Sequence, residues 1–337
     1  MLHRRTALRH LALPFAMGLG ASTPVSGARP EVLIRFSHVV ASDTPKGQMA
    51  QHFQVLVTQR SQGRIRVELY PDSQLYGDDD EMDALRFGAV EMLAPSLSKF
   101  GNVGVPEFEV FDLPFLFQNL QQVRSVTQGP LGRQLLERLG RQQMLGLGFM
   151  DNGFKQLSAR KPLRTPADMR GQRIRVQASR VLVAQMRAWG AQPVVLPFGE
   201  TRKALTQGVV DGAENPLSNY QTQGLADLQP HITLTQHGYL GYVVVTHPRF
   251  WASLTARDQA LVQQALAEAL EVGNRVSAEL DQKALRTLSQ TPGIHLHEPN
   301  EQQRGVWSDA VRPLYTQFRK SIGSSLLQEI QQLTLAK

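Results

Sequence analysis

"QRIRVQASRVLVAQMRAWGAQPVVLP", residues 172–197, is the stretch on which the fold turns. Its first part alternates, so Arg173, Arg175 and Gln177 share one face of a short strand while Ile174 and Val176 face the other way. "ASRVLVAQMRAW" then repeats its apolar residues at helical spacing and stops before Gly190, and "QPVVLP" is extended again. Strand, helix and strand in that order are the unit of an α/β layer.

The same alternation continues in both directions. "EVLIRFSHVV" (31–40) reads as a strand, and "DTPKG" supplies a cap and an N-terminal proline for a helix ending near Gln62-Gly63. "RIRVELYP" (64–71) is a second strand, "DDDEMDALRFG" (78–88) a helix with acids in its first turn, and "AVEMLAP" (89–95) a third strand. Further on, "RQQMLGLGFM" (141–150) is a strand, "GETRKALTQ" a helix, "VVDGAEN" a short strand entering a loop, and "GYLGYVVVTH" (238–247) a strand for a sheet centre. From Thr255, a cap, the spacing of Ala260, Leu261, Ala265, Leu266, Ala269 and Leu270 predicts one long helix over 255–290, stopped by Pro292-Gly293.

Composition narrows the function. The chain has 337 residues, 42% hydrophobic and 19% charged, which excludes the disordered class and suits two α/β halves. Residues 1–28 differ from the rest: Arg4, Arg5 and Arg9 precede the apolar "LALPFAMGLGA" and the small residues around Ser26 and Ala28, the order of a secretory signal cleaved after Ala28. The Arg4-Arg5 pair leaves twin-arginine export open beside the general route. Cleavage would remove those three arginines and no acid, lowering the formal charge from +7 to +4 and leaving no membrane-spanning segment. No basic run with interleaved aromatics accompanies that charge, so a nucleic-acid partner is not expected.

There is no cysteine, and the nine histidines include no H-x-x-x-H pair, so no metal or other cofactor is expected. "GDDDE" (77–81) lacks the ligand spacing of a calcium loop and reads as acids at a helix start. No G-x-S-x-G occurs, and the chain is not expected to be an enzyme.

What remains gathers at strand ends. Ser96 in "LAPSLSKFG" (93–101), Lys155 in "DNGFKQLSARKPLRTPADMRG" (151–171), Arg175, Phe198 and Asn215 all end strands or open loops, where open α/β sheets bind ligands. A guanidinium fork, an ammonium, a hydroxyl and a carboxamide are what a carboxylate needs. Each has a plainer reading: a solvated face for the arginines, core packing for Phe198, a wet first-turn lysine for Lys46, and a core or hinge hydrogen bond for His38.

The ordered elements "RIRV", "LPFGE", "ALTQGVVDG" and "ENPLSN" resemble the central signature of the solute receptors of tripartite ATP-independent periplasmic (TRAP) transporters. "FSHVVASDTPKG", "YPDSQLYGDDDEMDALRFGAVEMLAPSLSKF", "FEVFDLPFLF" and "DNGFKQLS" resemble the C4-dicarboxylate receptors of that group, the DctP type, so that the resemblance covers about residues 31–320. It implies a two-lobed binding protein: lobe I over 31–152 completed by a returning segment around 238–280, lobe II over 153–237 completed by C-terminal helices around 290–320, and the helix 255–290 spanning both.

It also implies that Arg175 salt-bridges a carboxylate of the bound acid, that Asn215 supports the same ligand, that Phe198 packs on its carbon chain and that Ser96 lines the pocket. Lys155 falls where many relatives carry a second arginine, in "GFR". A diacid's second carboxylate needs a further cation, for which Lys155, Lys46 and His38 are the candidates; Arg173 is expected to be the wet arginine. The implied function is a receptor in a Gram-negative periplasm that takes succinate, fumarate or malate to small and large membrane subunits. The alternatives are a receptor for a 2-oxo, sugar or aromatic acid, a ligand-presenting sensor protein, or an exported hydrolase.

Overall fold

The computed structural model describes residues 31–335. The expected leader, residues 1–28, lies outside them. β1 (Val32–Ser37) leads to α1 (Pro45–Arg60), where the Thr44 hydroxyl accepts from the Gly47 N–H at 3.2 Å and Pro45 takes the first helical position. The helix ends through left-handed Gln62 and Gly63 (φ 55° and 81°) into β2 (Ile65–Tyr70), and α2 (Glu81–Arg86) and β3 (Met92–Leu93) follow. β3 is shorter at both ends than the sequence predicts, and at its end Pro95 has no N–H for the ladder; beyond it Ser96 makes a single bridge to Tyr242. A 3₁₀ segment (Pro106–Asp112), α3 (Leu120–Thr127) and α4 (Pro130–Arg138) precede β4 (Leu145–Ala159).

The second half runs β5 (Arg173–Val176), α5 (Arg180–Ala188), β6 (Gln192–Val195), α6 (Thr201–Thr206), β7 (Gly212–Asn215), α7 (Leu217–Thr222) and β8 (His231–Thr246). α8 (Pro248–Ser253), the 35-residue α9 (Ala256–Gln290) and β9 (His295–His297) come next, followed by α10 (Glu301–Val311), α11 (Pro313–Ile322) and α12 (Ser324–Leu335).

The nine strands among the described residues belong to one hydrogen-bonded sheet, ordered β2-β1-β3-β8-β4-β7-β5-β6, with β9 paired to β8. Within each lobe the strands joined through helices are parallel, β1 with β2 and β3, β5 with β6 and β7. The lobes are joined by β4 and β8, antiparallel to each other and running through both. Register shifts at Gly146/Gly148, Asp151/Gly153 and Lys155/Leu157 let these strands bend between the lobes.

α9 spans both lobes as expected, packing on α1 and β4 at one end and on α7 and β9 at the other. It comes so close that a Cβ on Gly273 would lie 2.9 Å from Met49 Cβ. One core lies between β1–β3, α1 and α9 (Phe36, Phe53, Val244, Leu266), a second in lobe II (Leu205, Tyr220, Leu288), and the largest runs behind both lobes through Phe108, Phe111, Trp189 and Trp307. Of the C-terminal helices, α10 packs on α5 and β8, α11 on both α5 and the 3₁₀ segment, and α12 on α3. No helix among the described residues is long and apolar enough to cross a membrane.

Candidate ligand-binding site

The C-terminal ends of β3, β5, β6 and β7 face one crevice between the lobes, the position that strand order favours for ligands. Its inner pocket, about 310 Å³ with its mouth but only about 20 Å³ of that open to water, is lined by Lys46, Asp78 and Ser96 from lobe I and by Gln177, Phe198 and Asn215 from lobe II, among others. Larger hollows lie elsewhere, one of about 790 Å³ beside His231 and His295, but that one is lined by no buried charged residue, whereas Lys46 and Asp78 line the inner pocket.

Arg175, on β5, is 2% exposed. Its Nε and Nη2 both donate to the Leu196 carbonyl, at 3.0 and 2.8 Å, and its guanidinium carbon stands 5.9 Å from the centre of the Phe198 ring. No carboxylate among the described residues pairs with it, although Asp78 and Glu214 act on it from farther off. Burial lowers its pKa, yet a guanidinium stays charged. Arg173, two residues earlier on the same face, is bound through Nε and Nη2 to Asp211 at 3.0 and 2.7 Å and is 41% exposed. The expected wet arginine is thus half wet and paired.

Lys46 is the counterpart on lobe I. It sits in the first turn of α1, but it is buried, with Nζ donating to the Ala94 carbonyl at 2.9 Å and lying 4.0 Å from the centre of the Tyr242 ring. Burial, aided by Lys99, lowers its pKa to about 8. The plain reading of a solvated lysine is therefore replaced: the amine is held in the pocket wall. His38 is buried beside it without lining the pocket; its Nδ1 has no partner, and burial and then Lys46 push its pKa down to about 3. It is a neutral imidazole against Phe36, which fits the core reading.

Neutral donors complete the wall. Asn215 ends β7 with a buried Nδ2 that has no partner, and Ser96 Oγ accepts from Gln177 Nε2 at 2.9 Å across the lobes. Phe198 opens a short 3₁₀ turn after β6 and lines the pocket. Its N–H donates to Asp78 Oδ2 at 2.6 Å, a second bond between lobes. Asp78 also pairs with Lys99, which pairs in turn with Glu81; against the upward push of burial, Lys99 and the Phe198 N–H hold the Asp78 carboxyl below its usual range.

Lys155 is not brought to the pocket wall. Its Nζ is bound to Glu214 Oε1 at 2.9 Å, and Glu214 Oε2 accepts from His237 Nε2 at 2.8 Å, while Thr235 Oγ1 lies 2.7 Å from His237 Nδ1. Burial raises the Glu214 pKa, but Lys155 and the His237 bond outweigh it and bring the value to about 2. Burial keeps His237 neutral, so its Nε2–H donates and its Nδ1 accepts from threonine. The reason is positional: Lys155 lies at a register shift of β4, opposite Gly238, where the missing side chain leaves its stem room to turn toward β7.

Asp78, Asn219, Leu240, Tyr242, Val39 and Val40 also line the pocket and were not anticipated. Asn219 follows Asn215 by one helical turn in "ENPLSNY", a spacing that could have marked it; Tyr242 is hidden in a valine run, and Asp78 among helix-start acids.

The arrangement is a small pocket with one buried cation, Lys46, in its lobe I wall, free neutral donors, and a second buried cation, Arg175, that stands beside Phe198 on lobe II without itself lining the pocket; among the described residues neither cation is paired to a carboxylate. The chain matches the family model for bacterial extracellular solute-binding proteins, family 7 (DctP), over residues 36–321. It is 42% identical to the C4-dicarboxylate-binding periplasmic protein DctP of Rhodobacter capsulatus over 96% of this chain and 97% of that one. Among solved structures, a TRAP periplasmic solute binding protein from Shewanella oneidensis with bound succinate is 40% identical, with TM-score 0.88 over 91% of this chain and 100% of that one. One from Pseudomonas aeruginosa with bound L-malate is 38% identical, with TM-score 0.82 over 85% and 99%.

Proposed function

The chain belongs to the bacterial extracellular solute-binding proteins of family 7, and from that premise we propose that it is the receptor of a tripartite ATP-independent transporter, binding a C4-dicarboxylate such as succinate, fumarate or malate in the periplasm and handing it to the small and large membrane subunits. The observation that carries this reading is the pair of buried cations, Lys46 on lobe I and Arg175 on lobe II, neither paired to a carboxylate among the described residues. A buried charge without a partner costs several kcal/mol, and a small dianion cancels two of them at once.

In this reading the Arg175 fork takes one carboxylate in place of the Leu196 carbonyl, because two parallel N–H donors match two carboxylate oxygens. The free Asn215 Nδ2 donates to the same group, and Lys46 meets the other carboxylate. Phe198 and Leu240 cover the carbon chain, and Ser96 supplies a hydroxyl. Lys155 acts behind the wall by neutralising Glu214, as Lys99 does for the Asp78 carboxylate in the wall. The receptor catalyses nothing and uses no cofactor in this reading.

A thermal-shift screen of the purified protein tests it, since a ligand of the folded state stabilises it by RT ln(1 + [L]/Kd), about 4 kcal/mol at a thousandfold excess over Kd. Succinate, fumarate or L-malate should raise the melting temperature while acetate and lactate do not. A shift with a sugar acid or 2-oxo acid instead would replace the ligand and keep the receptor; no shift with any carboxylate would overturn both.

A further inference from the structure

Outside the inner pocket, in the same crevice, lies a second chamber of about 710 Å³, mouth included. Its wall comes from lobe I through Ala41, Thr44 and Asp72 and from lobe II through Arg202, Thr222 and Gln223. The two chambers share only Val39 and Phe198. These two side chains, with Val40, form a separate small apolar cluster that bridges the lobes and belongs to none of the larger cores.

Both sides of this partition are fixed. Residues 38–40 are held by backbone bonds from His38 N to Tyr70 O (3.0 Å), Asp72 N to Val40 O (3.0 Å) and Ser73 N to His38 O (3.2 Å), with Asp72 and Ser73 both left-handed (φ 52° and 58°). Phe198 is held at both backbone groups, its N–H by Asp78 Oδ2 at 2.6 Å and its carbonyl by Gln223 Nε2 at 2.9 Å. The backbone on each side of the partition is therefore fixed, and the side chains of Val39 and Phe198 alone close it.

We propose that the Val39–Phe198 contact is the length gate of the pocket: it separates the inner chamber from an outer subsite whose one cation, Arg202, could take the distal carboxylate of a diacid longer than C4. This rests on the reading of the inner pocket as a C4-dicarboxylate site. The outer chamber is polar, with Arg202 and Asp72 as its only charged lining residues, and Arg202 is balanced by Asp227 at 2.8 Å. A longer diacid must therefore breach the gate and compete with Asp227, and both requirements act against it.

The test is calorimetric titration of succinate, glutarate and adipate into the wild-type protein, Val39→Ala, Phe198→Leu and Val39→Ala/Arg202→Gln, each checked for folding by its unliganded melt. The readout is the ratio of succinate to adipate affinity. Opening the gate should lower that ratio about tenfold or more, the scale on which an apolar fit discriminates chain length, and Arg202→Gln should restore much of it. Phe198→Leu decides the matter if Val39→Ala does not fold. Succinate binding with an unchanged ratio in both gate variants would overturn the gate alone. No succinate binding by the wild-type protein would overturn the ligand reading, and the gate with it.

Discussion

Arg173 and Arg175 share a strand face, yet one is half exposed against Asp211 and the other is buried with no acid beside it. Alternation put them on one side; only the fold decides what stands opposite each. Lys46 makes the same point more sharply, because its apolar stem lets a first-turn lysine be drawn inside, where Tyr242 and the Ala94 carbonyl receive its amine. Its lowered pKa, about 8, gives a pH signature. A bound carboxylate favours the charged amine and raises that value, so binding takes up a proton above pH 8. Succinate affinity should be flat from neutral pH to about 8 and then fall, by up to about tenfold per pH unit, until the pKa of the bound state is passed. Calorimetry across this range, with Lys46→Met as control, checks it: the variant should bind weakly and without the slope, and a slope that survives the substitution would remove Lys46 from the site.

At the scale of elements, the sites are set by where β4, β7 and β8 meet. There Lys155, Glu214 and His237 form one buried chain, and its charge closes on itself. Lys155→Met should therefore cost about 3–5 kcal/mol in denaturant unfolding without ligand, the usual result of stranding one partner of a buried pair. Unchanged stability would show that Lys155 has another task. The elements built on local signals were legible in the sequence: the capped α1, the capped 35-residue α9, and the strand–helix units of both lobes. The long reach of β4 and β8 was not, since "DNGFKQLSA" and "HITLTQ" are polar or interrupted stretches that pair only because a neighbouring strand is already there. The same polarity concealed Lys155's partner. Of the candidate pocket, Ser96, Phe198 and Asn215 were legible as strand-end residues, whereas Lys155 and Arg175, expected there too, do not line it, and Asp78 and Tyr242 depend on contacts between segments far apart in sequence.

As a whole molecule, the protein is two lobes on one sheet, with a continuous aromatic core behind and a crevice in front. The crevice is drawn together by Asp78 to the Phe198 N–H, by Gln177 to Ser96 and by the Val39–Phe198 contact. The strands that cross between the lobes carry register shifts, the natural place for the lobes to bend as they open for a ligand. Under the proposed reading the ligand's two charges would meet the two buried cations, Lys46 of lobe I and Arg175 of lobe II, that have no carboxylate partner among the described residues. The most direct measurement is a calorimetric titration of succinate into the wild-type protein and into Arg175→Ala. One succinate should bind per chain with saturation, about 2–5 kcal/mol more weakly to the variant; equal affinity in the two proteins, or none in the wild type, would remove Arg175 or succinate, respectively, from the site.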